Sequence, residues 1–292
     1  RKETLKYLTY YYSFIAILNF ALIIIFPAGI IETSSANALN LVGDDNKMLF
    51  TLLPAMAIGI VYVLTYAKES KIRRKLIAVI IIFIASEVIV FAATGILMFL
   101  TTIILFVLDR NSKVAKKMFS LRNCVIIIAV LFYLFVFSDV FEKGLFADFI
   151  TYVLQKPVNF SGRTTLWTQA IIKIAQAPIF GYGYGSENIY TFSFITQSGT
   201  LTGFSTHDGY LRILLEGGIV SLLLYFSIYI KLFKVCKSSF KINSNIRIIV
   251  FASLGFLIGC IFESEYYSVT YLLMLGILYD SRKWPTVSNI TS

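Results

Sequence analysis

Charged side chains are scarce in this chain of 292 residues, because Asp, Glu, Lys and Arg together supply only 14% of it. Soluble domains carry about 25%. Apolar residues make up 58% and fall in long runs that are separated by short basic segments. This pattern excludes a secreted enzyme and a soluble globular domain, and it predicts an all-α polytopic integral membrane protein.

Cysteine and histidine are rarer still, with three cysteines and one histidine in the whole chain. Cys124, Cys236 and Cys260 are widely spaced and lie in or beside apolar runs, so their spacing supports neither a disulfide scaffold nor a metal site. A single histidine with no nearby cluster of carboxylates does not make a three-ligand metal centre. None of the serines stands in the elbow motif of a serine hydrolase. We therefore expect no metal and no cofactor.

Acidic residues are outnumbered, and the formal net charge is +10. Five basic residues follow the apolar run that ends near residue 67, five follow the run that ends near residue 108, and five more lie in residues 231–247. By the positive-inside rule these short loops are cytoplasmic. The basic excess therefore indicates a membrane topology and not a nucleic-acid partner. Residues 32–47 carry three acids and one base, so they are predicted to be external.

The apolar runs predict about eight transmembrane helices, with both ends of the chain in the cytoplasm. The run at residues 76–108 is too long for one span, since a single helix would measure roughly 50 Å against a hydrocarbon core of ~30 Å. Both of its flanks are basic, so it is predicted to be a hairpin that bends at residues 92–95. The chain starts at Arg1 and not at methionine, so eight is a minimum. The predicted spans are residues 7–30, 48–67, the two arms of 76–108, 124–140, 210–233, 248–262 and 271–279.

This topology divides the chain into residues 1–141 with five spans, an extracytoplasmic loop at 142–208, and residues 209–292 with three spans and a cytoplasmic tail. Within the loop, residues 163–177 have apolar positions at helical spacing. They predict an amphipathic helix, capped by Ser161 and stopped by Pro178, that lies on the membrane or on the bundle. The glycine-rich segment 181–186 is interpreted as a turn, with a direct ligand contact as the alternative.

The single histidine, His207, lies where the long loop re-enters the membrane. Histidine is suited to proton exchange near neutrality, because its ordinary pKa is about 6.5. Arg212 and Glu216 follow within the next predicted span, and ionisable residues at such depth are costly and usually functional. Arg212 can pair with Asp208 or with Glu216, each four residues away. The alternative is that these charges only neutralise one another.

These residue types suit a transfer reaction on an anionic substrate that is linked to a lipid. Arginine binds phosphate through a planar fork of donors, so Arg163 and Arg212 are predicted to hold a diphosphate. His207 is predicted to act as a general base that removes the proton of an attacking sugar hydroxyl. Asp208, the next residue, is predicted to orient its ring. Glu263 and Glu265 occupy an outer turn, where they either line the sugar site or form a polar turn and nothing more.

Three segments of the chain resemble the O-antigen ligase and polymerase family in their order and spacing. They are Ser161-Gly-Arg-Thr-Thr-Leu-Trp167, Pro178-Ile-Phe-Gly-Tyr-Gly-Tyr-Gly-Ser186 and His207-Asp-Gly-Tyr-Leu-Arg-Ile-Leu-Leu-Glu-Gly-Gly-Ile-Val220. The likeness extends over about residues 76–280. It implies a glycosyltransferase that takes glycans from undecaprenyl diphosphate on the outer face of the bacterial inner membrane, without a metal. By position, Arg163 would be the family's loop arginine and His207 its essential base.

The chain departs from the family pattern in two places. Thr94-Gly95 stands where the family often has Ser-Arg, so one phosphate-binding arginine is missing and Arg212 is expected to substitute for it. Asp208 replaces the usual Asn after the histidine. Glu87, inside a short predicted span, is expected to be buried with a partner or to line a cavity. The remaining candidates for substrate binding are Lys173, Asp208, Tyr210 and Glu216.

The leading functional prediction is a polymerase that joins lipid-linked repeat units into capsular polysaccharide or O-antigen. A ligase of the same family, which hands a finished glycan to an acceptor, is the nearest alternative. A flippase or transporter of the same lipid-linked sugar is a third. The expected partners are a lipid-linked oligosaccharide donor and acceptor, the lipid bilayer, and flippase and chain-length regulator proteins, with no nucleic acid.

Overall fold

The structure of the chain is a computed structural model, and it describes residues 1–31, 39–111, 121–137, 163–187, 193–195, 201–203, 205–242 and 244–281. These residues are mostly helical, which confirms the prediction of an all-α membrane protein. The strands form two short antiparallel hairpins, β1 with β2 and β3 with β4. In chain order the elements are α1 (Lys2–Ile25), β1 (Leu39–Asn40), β2 (Gly43–Asp44), α2 (Met48–Tyr66), α3 (Glu69–Val90), α4 (Ala93–Asn111), α5 (Leu121–Phe137), α6 (Arg163–Gln176), β3 (Ser193–Ile195), β4 (Leu201–Gly203), α7 (Gly209–Ile242), a 3₁₀ turn (Ser244–Ile246), α8 (Arg247–Gly259) and α9 (Val269–Asp280).

The chain divides into two compact units. The first comprises Arg1–Lys117, Lys231–Gly259 and Tyr267–Ser292, and it contains α1 to α4, α8 and α9. The second comprises Met118–Ile230 and Cys260–Tyr266, and it contains α5, α6, residues 209–230 of α7 and the turn at 260–266.

In the first unit, α2 is the central helix, and it contacts α1, α3, α4, α8 and α9. Its residues are apolar around nearly the whole circumference and mostly buried, as expected for a helix with neighbours on all sides. Small residues bring other helices close together. A Cβ atom on Gly255 of α8 would lie 2.5 Å from Thr102 Oγ1 on α4, so glycine is what permits this approach.

Residues 76–108, predicted to be a hairpin of two spans, belong to two helices with a break between them. Helix α3 ends at Val90, Phe91 adopts a left-handed backbone conformation with φ of 55°, and α4 begins at Ala93. At the other end of α4, Asp109 is buried and forms a two-pronged ion pair with Arg247 at the start of α8, with Arg247 Nε 2.6 Å from Asp109 Oδ2. The two helix ends that the sequence placed in the cytoplasm are therefore joined to each other.

Three of the described helical segments are long and apolar enough to cross a membrane: α1, α2 and Gly209–Leu232 of α7. Shorter apolar helices lie at Ala93–Asp109, Arg247–Gly259 and Val269–Asp280. The number of eight spans stays a prediction. The structure differs from the sequence-based expectation in α7, which is interrupted at Gly218, where φ is 62° and ψ is −163°. The predicted sixth span at 210–233 is thus two helical segments on either side of a kink.

Candidate functional site

A buried carboxylate in the second unit joins the two residues that the sequence placed at the centre of the chemistry. Glu263 Oε1 accepts a hydrogen bond of 2.8 Å from Arg163 Nη2, and Glu263 Oε2 lies 3.2 Å from His207 Nδ1. The Glu263 side chain is only 1% exposed, whereas that of His207 is 32% exposed. Arg163 Nη1 also donates to the carbonyl oxygen of Phe262. These residues are called the Arg163–Glu263–His207 cluster below.

The backbone at His207 is held in a left-handed conformation, with φ of 50°. For a residue other than glycine this costs of order 1 kcal/mol or more and persists only where the surroundings enforce it. The surroundings do so here: the His207 amide donates to Ser205 Oγ at 3.2 Å, and the Thr206 amide donates to Glu187 Oε1 at 2.7 Å. The strained backbone aims the imidazole at Glu263.

Glu187 is the functional-site residue that sequence reasoning missed. Its carboxylate is buried and accepts hydrogen bonds from Ser205 Oγ at 3.0 Å and from the backbone and hydroxyl of Thr206, and its Oε2 atom lies 3.5 Å from Arg212 Nε. The available signal was an acid directly after the glycine-rich segment. Glu187 fixes the two residues that precede His207.

Arg212 lies among acceptors on several sides. Its Nε atom is 3.0 Å from Glu216 Oε1, its Nη1 atom is 3.4 Å from the Ser264 carbonyl oxygen, and its guanidinium carbon is 5.4 Å from the centroid of the Tyr266 ring. Tyr266 Oη in turn donates to Glu216 Oε2 at 2.9 Å. Of the two partners expected from the sequence, Glu216 is therefore the one that Arg212 contacts, together with Glu187, which was not foreseen.

The glycine-rich segment is a turn that docks on the kink in α7. Tyr182 and Gly183 donate backbone hydrogen bonds of 2.8 and 2.9 Å to the carbonyl oxygens of Leu215 and Glu216. A Cβ atom on Gly181 would lie 2.4 Å from the Leu215 carbonyl oxygen, and one on Gly218 would lie 2.2 Å from that of Ile179. These glycines are needed because two backbones touch, which supports the interpretation as a turn.

Helix α6 packs on the protein through its apolar face. Trp167 and Ala170 are buried against Leu211 and Leu215 of α7, and Trp167 Nε1 donates to the Thr206 carbonyl oxygen at 2.9 Å. Of the two placements expected for this helix, the described contacts are those of packing on the bundle. The expected cap, Ser161, lies outside the described residues.

A family model described as O-antigen ligase matches residues 47–226, which is more than half of the chain. The chain belongs to the O-antigen ligase family. Members are enzymes that act on lipid-linked glycans, so the chain is a membrane enzyme of that general type. Searches of curated proteins and of solved structures return no match.

Asp208, at the position where the O-antigen ligase family usually has Asn, caps helix α7. Its Oδ1 atom accepts hydrogen bonds from the Tyr210 and Leu211 amides at 2.8 and 2.9 Å, which is the geometry of a helix N-cap. Its Oδ2 atom is buried without a hydrogen-bond partner among the described residues. Complete burial raises the pKa of Asp208 well above its ordinary value. The sequence suggested that Asp208 orients the His207 ring, but the carboxylate beside that ring is Glu263.

Glu87 lies beside Gly95, in the Thr94-Gly95 pair where the chain departs from the family pattern. A Cβ atom on Gly95 would lie 2.2 Å from Glu87 Oε2, so the absence of a side chain at Gly95 leaves room for this carboxyl group. Glu87 is buried, and neither of its oxygens has a hydrogen-bond partner among the described residues. Of the two expectations for Glu87, a hydrogen-bonding partner is therefore not found in the part of the chain that the structure describes, and the lining of a cavity stays a prediction.

The described contacts of the remaining predicted site residues, Lys173, Tyr210 and Glu265, are not with the Arg163–Glu263–His207 cluster. Lys173 Nζ is 3.4 Å from Gln176 Oε1 on the same helix, and Tyr210 is buried and stacks on Phe226 with ring centroids 5.7 Å apart. The backbone carbonyl of Glu265 lies beside Gly209. Within the described ranges, no group of three or more His, Cys, Asp and Glu is arranged to hold a metal ion. Cys260 is buried and forms no disulfide bond with another described residue.

Proposed function

We propose that this member of the O-antigen ligase family polymerises lipid-linked oligosaccharide repeat units, on the outer face of the bacterial inner membrane, with His207 as the general base. The observation that carries the proposal is the Arg163–Glu263–His207 cluster. It combines a half-buried imidazole, a buried carboxylate on one ring nitrogen and an arginine on the same carboxylate. Such a set serves proton removal next to a phosphate-bearing substrate.

Glu263 prepares the imidazole for this role. A carboxylate beside Nδ1 favours the tautomer with its proton on that nitrogen, which leaves the Nε2 lone pair free to accept a proton. No described residue makes a hydrogen bond to Nε2. After proton uptake, the negative charge of Glu263 stabilises the imidazolium, in the way that a buried carboxylate supports the histidine of a catalytic triad.

The proposed transfer reaction needs no reactant other than the donor glycan and the acceptor sugar. The acceptor hydroxyl oxygen bonds to the anomeric carbon of the donor glycan while its proton passes to His207 Nε2. The bond between the anomeric carbon and the diphosphate oxygen breaks, and the lipid diphosphate leaves with the electron pair. The leaving group is an anion, so a nearby arginine lowers the barrier by stabilising its charge.

Arg163 is the strongest candidate for the diphosphate contact. A guanidinium has five N–H donors, and the described contacts of Arg163 are with Glu263 and the Phe262 carbonyl oxygen. Donors remain for a phosphate oxygen, and the side chain is partly exposed. Arg212 is a weaker candidate, because Glu187 and Glu216 lie beside its Nε atom. Glu265 and Lys173 stay predictions.

A ligase is the second candidate function, and the description of the matching family favours it. Polymerase and ligase share the same chemistry and differ in the acceptor. A flippase is less well supported, because transporters commonly place charges near the membrane midplane between related halves, whereas the described charges of the second unit gather around residues 163–187, 205–216 and 263–265. Capsule or O-antigen as product, and flippase and chain-length regulator proteins as partners, belong to the same proposal.

The test is deletion of the gene followed by separation of surface glycans by length. Single repeats on the surface would support a polymerase, free full-length lipid-linked chains would indicate a ligase, and repeat units trapped inside the cell would indicate a flippase. Complementation with the wild-type gene controls for secondary mutations. Normal glycans in the deletion strain would contradict the proposal.

A further inference from the structure

The loop that follows α6, residues 178–184, exposes large apolar side chains. Ile179 is 55% exposed, Phe180 is 73% exposed and Tyr184 is 76% exposed. Exposed apolar patches mark sites of interaction with a protein or a membrane. Residues 178–184 are called the apolar loop below.

These side chains are exposed although hydrogen bonds hold the backbone of the loop in place. The carbonyl oxygens of Pro178 and Ile179 accept hydrogen bonds of 2.8 and 3.3 Å from the Ile219 and Val220 amides, which the kink at Gly218 leaves without partners inside the helix. Tyr182 and Gly183 bind the other side of the kink, as described above. The backbone on both sides of Phe180 is therefore fixed while its side chain points away from the protein.

The kink separates a charged segment of α7 from an apolar one. Residues 209–217 include Arg212 and Glu216, whereas residues 219–230 contain no charged residue. Gly209–Leu232 is the part of α7 that is long and apolar enough to cross a membrane. Charged groups are costly inside lipid, so Arg212 and Glu216 belong to the outer part of this span and the uncharged residues 219–230 lie deeper. The apolar loop, bonded to Ile219 and Val220, then lies where the charged part of the span meets the uncharged part.

The exposed surface of this span is continuous with the apolar loop. Ile219, Leu223 and Leu224 are exposed in the described structure, as expected of side chains that face lipid. Tyr184 beside a span is typical of the membrane interface, where the apolar part of the tyrosine ring enters the bilayer. This continuity favours lipid over a protein as the occupant.

We propose that the apolar loop inserts into the lipid bilayer at its interface and sets the depth of the site relative to the lipid. Its backbone is bonded to Leu215 and Glu216, and Glu216 contacts Arg212, so insertion would fix the height of the charged segment above the hydrocarbon. The inference extends the proposed function, in which the diphosphate of a membrane lipid must reach the cluster. Its test requires no catalysis, so it can fail or succeed independently of that function.

Fluorescence quenching by brominated lipids tests the inference on the full chain in nanodiscs. The background variant carries Trp284→Phe, so that its remaining tryptophan is Trp167, which is buried. Phe180→Trp reports on the apolar loop. Thr165→Trp, at an exposed position of α6, is the matched control. We expect Phe180→Trp to lose fluorescence when phosphatidylcholine is replaced by its form brominated on the acyl chains, and Thr165→Trp to keep it.

Equal quenching of the two variants, or none in Phe180→Trp, would overturn the inference. A Phe180→Trp protein that is not recovered in monodisperse form is replaced by Ile179→Trp, which reads the same loop and is judged by the same two outcomes. Quenching of Ile179→Trp above the control supports insertion, and its absence refutes it.

Discussion

Glu263 is buried between an arginine and a histidine, and at the scale of single residues this carboxylate determines how the site works. A buried charge is tolerated only when partners offset the cost of removing it from water. Glu263 has one partner on each oxygen atom. Arg163 offsets the charge of Glu263 by a direct ion pair, and His207 becomes a second charged partner once it has taken up a proton from the acceptor.

Replacement of Glu263 by Gln tests this role. The amide keeps the volume of the side chain but cannot stabilise an imidazolium by charge. We expect single-turnover transfer by the purified protein to fall by roughly 10²–10⁴-fold, the range of general acid–base assistance. Transfer at the wild-type rate by Glu263→Gln would show that His207 does not depend on this contact.

Arg163 has two proposed tasks, which a double variant can separate. Arg163→Ala leaves Glu263 buried without its arginine, and breaking a buried pair costs about 3–5 kcal/mol. We expect its melting temperature and its activity both to fall. Arg163→Lys keeps the charge but loses the fork, so its activity should fall with a smaller loss of stability.

In the double variant Arg163→Ala with Glu263→Gln, the unpaired charge is gone. We expect most of the stability to return while activity stays low, because the contact with the diphosphate is still missing. Thermal unfolding and lipid-linked transfer are measured on the same preparations. If the double variant were as active as Glu263→Gln alone, Arg163 would have no role in binding the diphosphate.

Asp208 gives a prediction on the pH dependence of stability. Burial raises its pKa, so the protonated form is favoured in the folded protein. Its contribution to stability is then complete below the ordinary aspartate pKa and is lost as pH rises through the raised value. Asp208→Asn keeps the cap acceptor and has no proton to lose.

We therefore expect Asp208→Asn to match the wild type in thermal unfolding at acidic pH and to exceed it near neutral pH, with transfer activity retained. Asp208→Ala, which removes the cap, should lose about 1 kcal/mol. A lower melting temperature for Asp208→Asn than for the wild type at neutral pH would contradict the burial argument.

At the scale of secondary-structure elements, the kink of α7 and the glycine-rich turn form one joint. The kink leaves backbone groups of the helix without partners, and the turn supplies carbonyl and amide groups that pair with them. Gly181 and Gly218 stand where each backbone contacts the other. Replacing a glycine of the turn by alanine should therefore lower the stability of the second unit. The loss should be larger where the new Cβ atom would clash with the backbone of α7.

Gly181→Ala combines an unfavourable φ of 63° with a clash against the Leu215 carbonyl oxygen, whereas Gly183→Ala has an unfavourable φ of 97° and no atom within 4 Å. We expect the first variant to lose clearly more stability than the second, for which the cost is roughly 1 kcal/mol of backbone strain. Gly276→Ala in α9, also free of neighbours, is the control and should be neutral or stabilising. Equal melting temperatures for Gly181→Ala and Gly183→Ala would contradict the claim that the turn and the kink of α7 stabilise each other through backbone contact.

The sequence predicted the elements that depend on local patterns. Apolar spacing located α6 within one residue of its observed end, and the length and flanks of residues 76–108 predicted a break at 92–95, close to the observed break at Phe91. Contacts between distant segments were not predictable: Glu263 stands 56 positions after His207, and only the tertiary fold pairs them. The sequence suggested that Asp208 orients the imidazole ring of His207, because the two residues are neighbours. An Asp directly before a helix is also a signal for a helix cap, and that is the role the structure shows.

At the scale of the whole molecule, the distribution of charge predicts which side of the membrane each loop occupies. Residues 68–75 are predicted to be cytoplasmic and residues 142–208 to be external. Cysteine labelling in intact cells tests this with one residue from each loop in a variant without native cysteines. We expect Ser198→Cys to react with an impermeant reagent, and Ser70→Cys to react only after the cells are permeabilised. The reverse result would place the site on the wrong face.

The central claim is that His207 removes the proton of the acceptor sugar, and the rate of glycan transfer by a histidine variant tests it most directly. Asn is the best replacement, because it tolerates the left-handed backbone at this position and can still donate to Glu263. We predict that purified His207→Asn, supplied with lipid-linked oligosaccharide, transfers glycan about 10²–10⁴-fold more slowly than the wild type, with an unchanged melting temperature. A well-folded His207→Asn protein that transfers glycan at a rate close to the wild type would contradict the claim.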